Sequence, residues 1–365
     1  MRETLGFFKW SFLATIVGLV AAGFYGGLGA VAVCGILILL EASISFDNAT
    51  VNANVLRKMG ERWQTVFLTI GIVIAVFGMR VLFPILIVAF AINLGVGEVV
   101  NQALYAQEEY ARNVEMAIPI IASFGGMFLL LVFLEYFLDV DRNLHWLGPI
   151  ERGLSRLGRV NAAPVTVALI VLLVTSQFVR PEVSPSVLFA GLLGIVTHLI
   201  VSGVTQLLDR ATRTGGQART GFAGFASFLY LEMLDASFSF DGVIGAFAIT
   251  TDIVVIALGL GVGAIYIRSL TVYLVRRGTL FRYEYLTAGA HWAIGVLAVV
   301  LLVETAVSVP PWLTAALGIG FIGAAFVSSI IRNRRGEGRT DDEDDGAEED
   351  SAPTEASGSS LPASS

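Results

Sequence analysis

Long apolar stretches are the feature that most constrains the fold of this chain. Ten of them, each of roughly 17–29 residues, are long enough to cross the hydrocarbon core of a bilayer as a helix. They lie at 8–25, 28–56, 65–93, 117–138, 163–180, 185–208, 222–250, 252–275, 286–306 and 311–331. None alternates polar and apolar residues as a barrel strand does, and backbone groups in lipid must be satisfied internally. The sequence therefore predicts an all-α polytopic membrane protein with about ten transmembrane helices.

Composition narrows the function classes. Charged residues make up 15% of the 365 residues, whereas soluble domains carry about 25%. This argues against a soluble enzyme, a nucleic-acid-binding domain and a disordered protein. The single cysteine, Cys34, lies in an apolar stretch, which argues against disulfides and a thiolate metal site. We expect a lipid bilayer as the surroundings, no nucleic-acid partner and no permanently bound cofactor, and we leave a homo-oligomer open.

The basic residues predict the orientation in the membrane. With the N-terminus in the cytoplasm, 19 of the 23 Lys and Arg residues fall in cytoplasmic segments, and the outer loops hold only Arg112 and Arg180. The prediction is therefore an inner-membrane protein with both termini in the cytoplasm. Residues 332–365 hold four arginines and ten acidic residues and should form a disordered acidic tail.

An octet in the second apolar stretch recurs in the seventh. Residues 40–47 read Leu-Glu-Ala-Ser-Ile-Ser-Phe-Asp, residues 234–241 read Leu-Asp-Ala-Ser-Phe-Ser-Phe-Asp, and six of the eight positions are identical. Arg80 and Arg268 recur one stretch later, and Glu135 and Glu304 recur two stretches later. A shift of five spans is odd, so the second copy should be inverted in the membrane. The predicted repeats are 1–180 and 181–331.

Seven acidic residues interrupt the apolar stretches, where each charge costs about 2.5–3.5 kcal/mol at the bilayer centre. They are Glu41, Asp47, Glu135, Glu232, Asp235, Asp241 and Glu304. Packing alone needs only small or hydroxyl residues, so these acids indicate a function. Carboxylate, hydroxyl and amide oxygens suit Mn²⁺, Mg²⁺ or Ca²⁺. His198 and His291 are better interpreted as packing residues than as ligands.

Several roles stay open at the level of sequence. Each octet either presents two oxygen-rich faces of a continuous helix or is broken so that its carboxylates converge. Arg80 either keeps an acid ionised while the site is empty or forms a fixed ion pair, and for Arg268 snorkelling to the interface is a third option. Glu135 and Glu304 are candidates for proton transfer, for secondary cation sites or for hydrogen bonds between helices.

The two octets and their flanking residues resemble the signatures of the TerC-like membrane proteins, which are linked by name to tellurium resistance and are similar to the LysE-type transporter superfamily. The first signature is Glu41 with Asp47 and Asn48, and the second is the Glu-x-x-Asp-x-x-Phe-x-x-Asp pattern at 232–241. The resemblance implies inverted repeats, an inner-membrane location and manganese export. The implied metal ligands are Glu41, Asp47, Asn48, Glu232, Asp235 and Asp241.

The sequence thus favours a transporter that exports a divalent cation, with manganese expected, and not an enzyme. An aspartyl intramembrane protease is disfavoured because Phe238, Ser239 and Phe240 precede Asp241 where a glycine motif is required. The main alternative is a metal-sensing scaffold of a metal or tellurite stress response, in which loop 139–162 and the tail dock partners without transport.

Overall fold

All regular structure in the computed structural model is helical. It describes residues 2–140, 142, 144–160, 162–211, 221–247, 249–276 and 283–334, and no β-strand occurs within these ranges. A π-helical segment (Ile74–Leu82) joins α3 to α4. The α-helices are α1 (Arg2–Ile44), α2 (Phe46–Leu56), α3 (Glu61–Val73), α4 (Phe83–Ala91), α5 (Val96–Tyr105), α6 (Gln107–Phe137), α7 (Gly148–Leu157), α8 (Ala163–Phe178), α9 (Ser184–Ala211), α10 (Gly221–Phe247), α11 (Ile253–Arg276), α12 (Tyr285–Glu304) and α13 (Pro311–Arg334).

Helix α1 folds back on itself at Gly26 and Gly27. Gly27 has φ +68°, a left-handed conformation that glycine adopts without steric cost. A Cβ placed on Gly35 would lie 3.9 Å from Leu19, although a straight helix would hold these residues roughly 24 Å apart. The halves 2–25 and 28–44 are therefore antiparallel. This break falls between the first two predicted apolar stretches.

Seven helices of the described chain are long and apolar enough to cross a membrane, which is consistent with a polytopic membrane protein. They are Phe7–Ala42, Glu61–Ala91, Gln107–Phe137, Ser184–Val204, Ile253–Arg276, Tyr285–Glu304 and Trp312–Arg334. The first of these contains the reversal at Gly26 and Gly27. Two further predicted stretches coincide with α8, which is shorter, and with α10, which carries three acids. The count of ten and the inverted repeat stay predictions.

The two halves of α1 pack along α11 in opposite directions. Ser11 lies 2.8 Å from Ser269 near one end of the first half, and Tyr25 lies 3.4 Å from Asp252 near the other. The second half approaches Gly259 and Gly263, where a Cβ would lie 2.5 Å from Leu37 and from Glu41, respectively. Small residues allow such close contact between membrane helices. Helix α6 is the most buried element, and it packs against α9 and α12.

A proline explains the irregular helix around Arg80. Pro84 lacks the N–H that would bond the Arg80 carbonyl, and its ring crowds that oxygen. The chain adopts π geometry over Ile74–Leu82, directly before this proline. Such π segments are frequent at functional sites. The equivalent stretch of α11 around Arg268 has no proline and stays α-helical.

The structure revises the boundary of the predicted tail. Helix α13 continues to Arg334, three residues into the segment 332–365 that the sequence assigns to the tail. The remainder, 335–365, lies outside the described residues.

Candidate functional site

Arg80 and Arg268 are both buried in the protein interior. Arg80 is 2% exposed and donates to the carboxylate of Glu41 and, at 2.8 Å, to the hydroxyl of Ser239. It also donates to the carbonyl of Ala75 at 3.1 Å. Because these acceptors come from α1, α10 and its own helix, Arg80 joins three elements at one point.

Arg268 occupies a similar position on α11. It is 3% exposed and donates to Glu232 at 3.2 Å and to Asp235 at 3.3 Å. Its guanidinium carbon lies 3.7 Å from the centroid of the Phe67 ring, a cation–π contact. The carbonyl of Gly71 accepts a further bond at 3.2 Å. Arg268 is therefore not a snorkelling residue, because its charge is held inside the protein.

Asp235 connects the two arginines. Its Oδ2 atom lies 3.3 Å from Arg268 and 3.8 Å from Arg80. We call this group of three acids and two arginines the carboxylate–arginine cluster; its members are Glu41, Asp235, Glu232, Arg80 and Arg268. All five are buried. With all groups ionised the cluster has one more negative than positive charge, and Glu232 Oε2 has no hydrogen-bond partner among the described residues.

Glycines allow the helices to meet at this cluster. A Cβ on Gly242 would lie 2.2 Å from Glu41 Oε2, and one on Gly263 would lie 2.5 Å from the Glu41 side-chain carbons. A Cβ on Gly71 would lie 2.7 Å from Glu232 Oε1. The backbones of α10, α11 and α3 therefore come as close to the carboxylates as the chain permits, which excludes solvent and lipid.

The two octets differ in backbone conformation. In the first, Ser45 separates α1 from α2 with φ −90° and ψ 18°, and its hydroxyl donates to Glu41 at 3.1 Å. In the second, α10 is continuous through Asp241. The side chains of Asp47 and Asp241 lie outside the described residues. Asn48 is buried on α2.

The structure therefore brings together three of the predicted ligands, Glu41, Glu232 and Asp235, with both predicted arginines. Within the described residues, no group of three or more His, Cys, Asp or Glu side chains is arranged to hold a metal ion. Guanidinium groups pair with all three carboxylates of the cluster, which leaves one excess negative charge.

Glu135 and Glu304 do not share a contact in the described chain. Glu135 lies 3.1 Å from Nε2 of His198, which is fully buried, and accepts a bond of 3.1 Å from Ser202. Glu304 is buried on α12, and its Oε2 atom has no hydrogen-bond partner among the described residues. His291 stacks on Tyr136 with 3.7 Å between ring centroids. The contact between His198 and Glu135 is one that the sequence did not predict.

Helix α2 carries buried polar atoms that make no hydrogen bond within the described residues. They are Oγ1 of Thr50, both amide atoms of Asn52 and Oδ1 of Asn54. Unsatisfied buried polar atoms are rare and call for an explanation. Helix α2 begins beside the cluster at Phe46 and ends at Leu56. These atoms therefore lie on the part of α2 that leads away from the cluster.

Sequence comparison assigns the chain to a family. The DUF475 profile, described as a protein of unknown function, matches residues 46–336. The chain belongs to this family. The matched segment covers α2 to α13 and contains both buried arginines, and it begins after Glu41. Neither a curated protein nor a solved structure matches the chain significantly.

Proposed function

We propose that this protein is a membrane transporter that exports a divalent cation, with Mn²⁺ as the first candidate substrate. The observation that carries the proposal is the charge of the carboxylate–arginine cluster. Three buried acids face two arginines, and two more acids, Asp47 and Asp241, belong to the same octets. An excess of buried negative charge among apolar helices is costly unless a cation compensates it.

The proposed ligands are the six residues of the two octets and their flanks: Glu41, Asp47, Asn48, Glu232, Asp235 and Asp241. Their oxygens form a hard donor set that suits Mn²⁺, Mg²⁺ or Ca²⁺. In the described conformation Arg80 and Arg268 bind three of the acids. Cation binding then requires that the guanidinium groups withdraw, so the arginines compete with the substrate and stabilise the empty site.

The matched ion pairs support the proposed inverted repeat. In the octet alignment Glu41 is equivalent to Asp235, and Arg80 is equivalent to Arg268. Glu41 binds Arg80, and Asp235 binds Arg268, so the same pair occurs in both halves. Inverted repeats place a transporter's binding site near the bilayer midplane. The resemblance to TerC-like proteins supports the same assignment, including an inner-membrane location with cytoplasmic termini.

The polar atoms of Thr50 and Asn54 are the proposed route to this site. These two residues share one face of α2, which leads from the cluster to the loop containing Arg57, and Asn52 lies roughly on the opposite face. In the predicted orientation this loop is cytoplasmic. A cation entering from the cytoplasm would meet these amide and hydroxyl groups before the carboxylates.

The decisive experiment is a flux assay in liposomes that enclose a Mn²⁺-sensitive dye. Full-length protein is compared with Asp47→Asn and Asp241→Asn, and with Glu98→Gln, an exposed acid on α5, as the matched control. We expect the Mn²⁺ flux of both aspartate variants to be at least about tenfold lower than that of the wild type, because the charge of a hard cation site sets its affinity. The control should match the wild type.

One outcome contradicts the proposed site, and another contradicts transport. Unchanged flux in both aspartate variants at normal reconstitution would remove the octets from the mechanism. Saturable Mn²⁺ binding without any flux in the wild type would favour the metal-sensing scaffold instead. Repeating the assay with Ca²⁺ and Mg²⁺ identifies the substrate.

A further inference from the structure

Helix α7 lies at the level where the membrane helices end. It connects α6 to α8, and Gly158, directly after its last residue, packs so closely on the end of α6 that a Cβ would lie 1.7 Å from the carbonyl oxygen of Leu138. Its apolar residue Leu154 packs against the core. The helix is therefore held against the bundle, at the boundary between the apolar helices and the aqueous phase.

A buried glutamate fixes α7 in this position. Glu151 is fully buried and accepts bonds from the backbone N–H groups of Trp146 at 3.0 Å and Leu147 at 3.1 Å. It also accepts bonds from the indole of Trp292 on α12 at 3.0 Å and from Arg142 at 2.9 Å. Three of these donors belong to the loop 139–162, and the fourth, Trp292, belongs to α12. The carboxylate therefore joins the loop to a membrane helix.

The exposed surface of α7 has an apolar side and a basic side. Ile150 is 56% exposed and Leu157 is 55% exposed, and Val160, just after the helix, is 64% exposed. On the helix Ile150 and Leu157 fall within about 60° of each other, and Arg152 and Arg156 project roughly to the other side. Both arginines and Arg159 are exposed.

We propose that α7 lies in the plane of the membrane surface and binds anionic phospholipid. Ile150, Leu157 and Val160 enter the acyl layer, and Arg152, Arg156 and Arg159 bind lipid phosphates. An amphipathic basic helix at this depth is suited to an interface, and long arginine side chains reach the headgroups while their stems stay in apolar surroundings. Guanidinium groups pair with phosphate oxygens through two parallel bonds.

The combination of an apolar and a basic side on α7 favours a lipid over a soluble ligand. A free phosphate would satisfy the arginines and leave the exposed Ile150 and Leu157 in water, whereas a phospholipid satisfies both. The surface is separate from the carboxylate–arginine cluster, and no step of the proposed transport uses it.

Site-directed spin labels test the placement of α7. The only native cysteine, Cys34, is fully buried, so single cysteines can be introduced into the natural background. Labels at Ile150→Cys and Leu157→Cys, in liposomes containing phosphatidylglycerol, should collide readily with oxygen and poorly with a water-soluble nickel chelate. The polar-face label Arg152→Cys should show the reverse. Nickel accessibility at Ile150 equal to that at Arg152 would overturn the proposal, and shielding of Ile150 and Leu157 from both reagents would assign the face to a protein partner.

Native mass spectrometry tests the lipid chemistry. Full-length protein in detergent is titrated with phosphatidylglycerol or phosphatidylcholine. The double variant Arg152→Gln, Arg156→Gln should bind phosphatidylglycerol about fivefold more weakly per arginine, roughly 25-fold in all. The matched control, Arg112→Gln with Arg180→Gln, removes the same charge from the opposite side and should bind normally. Equal binding of both lipids, or displacement of phosphatidylglycerol by inorganic phosphate, would overturn the assignment.

Discussion

The two copies of the octet motif have nearly the same sequence and different backbones. In the first copy the helix breaks at Ser45, and the arginine lies on a π-helical segment. In the second copy both α10 and α11 are continuous α-helices. The ion pairs are nevertheless the same, since Glu41 binds Arg80 as Asp235 binds Arg268. The charged contacts are therefore alike in the two copies, although the path of the chain differs.

The matching serines of the two copies make different hydrogen bonds. Ser45 donates to the side chain of Glu41, four residues earlier, whereas Ser239 donates to the backbone carbonyl of Asp235 at 2.5 Å. Ser239 also accepts a bond from Arg80, so it belongs to the contacts of the opposite copy. Irregular backbone is concentrated in the first copy, so any conformational change that the proposed transport requires is expected there.

The largest expected loss of stability tests whether the buried ion pairs of Arg80 and Arg268 are equivalent. Arg80→Gln and Arg268→Gln should each lower the free energy of unfolding by about 3–5 kcal/mol, because each leaves one buried acid, Glu41 or Glu232, without its cation. Thermal and denaturant unfolding in a fixed detergent measure the loss. Combining Arg80→Gln with Glu41→Gln should recover part of it.

The control for this prediction is Arg112→Gln, outside the cluster, which should change stability by less than about 0.5 kcal/mol. A loss confined to one of the two arginines would show that the copies are not energetically equivalent, despite their matched contacts.

A smaller loss of stability is expected where α11, the helix that carries Arg268, meets Glu41 of α1. Gly263 of α11 lies five residues before Arg268 and approaches the Glu41 side chain closely. Gly263→Ala places a Cβ 2.5 Å from the Glu41 side chain and should cost about 1–3 kcal/mol through overpacking. Gly29→Ala, where a Cβ meets nothing within 4 Å, is the matched control in the same unfolding assay. Equal stability of the two variants would contradict the close contact between α1 and α11.

The smallest effect concerns the π segment. Pro84→Ala supplies the missing N–H to the Arg80 carbonyl and should slow amide exchange over 74–82, with a stability change within about 1 kcal/mol. Hydrogen exchange with mass spectrometry measures this protection. Pro119→Ala in α6, which is helical throughout, serves as the comparison and should leave exchange over 74–82 unchanged. Unaltered exchange in Pro84→Ala would mean that packing, and not the proline, maintains the π geometry.

Much of the fold follows from the sequence, because helix length and hydropathy are local properties. The reversal at Gly26 and Gly27 lies at the predicted boundary, and helices occur at every predicted stretch. The choice of partner for each arginine was not predictable, since it depends on where helices distant in sequence cross. The sequence leaves the break at Ser45 open for the same reason, and the continuous α10 shows that the octet alone does not decide it.

The sequence does not predict two of the polar contacts, because no extended sequence pattern indicates them. The pairing of His198 with Glu135 joins α6 to α9, and no spacing in the chain indicates it. Glu151 lies in the loop 139–162, where Gly148 and Pro149, just N-terminal to Ile150 and Glu151, are typical of a helix start that a glutamate can cap.

The order of residues along the chain bears on how the protein enters the membrane during synthesis. Glu41 precedes Arg80 by 39 residues, so the helix that contains this acid is synthesised before its counter-charge exists. Glu232 and Asp235 precede Arg268 by 36 and 33 residues, yet Arg80 is already present when they emerge. The first half of α1, which is apolar and folds back beside the second, accompanies Glu41 during that interval. The early carboxylate therefore depends on a helical hairpin for its insertion, whereas the later ones meet a cation already in place.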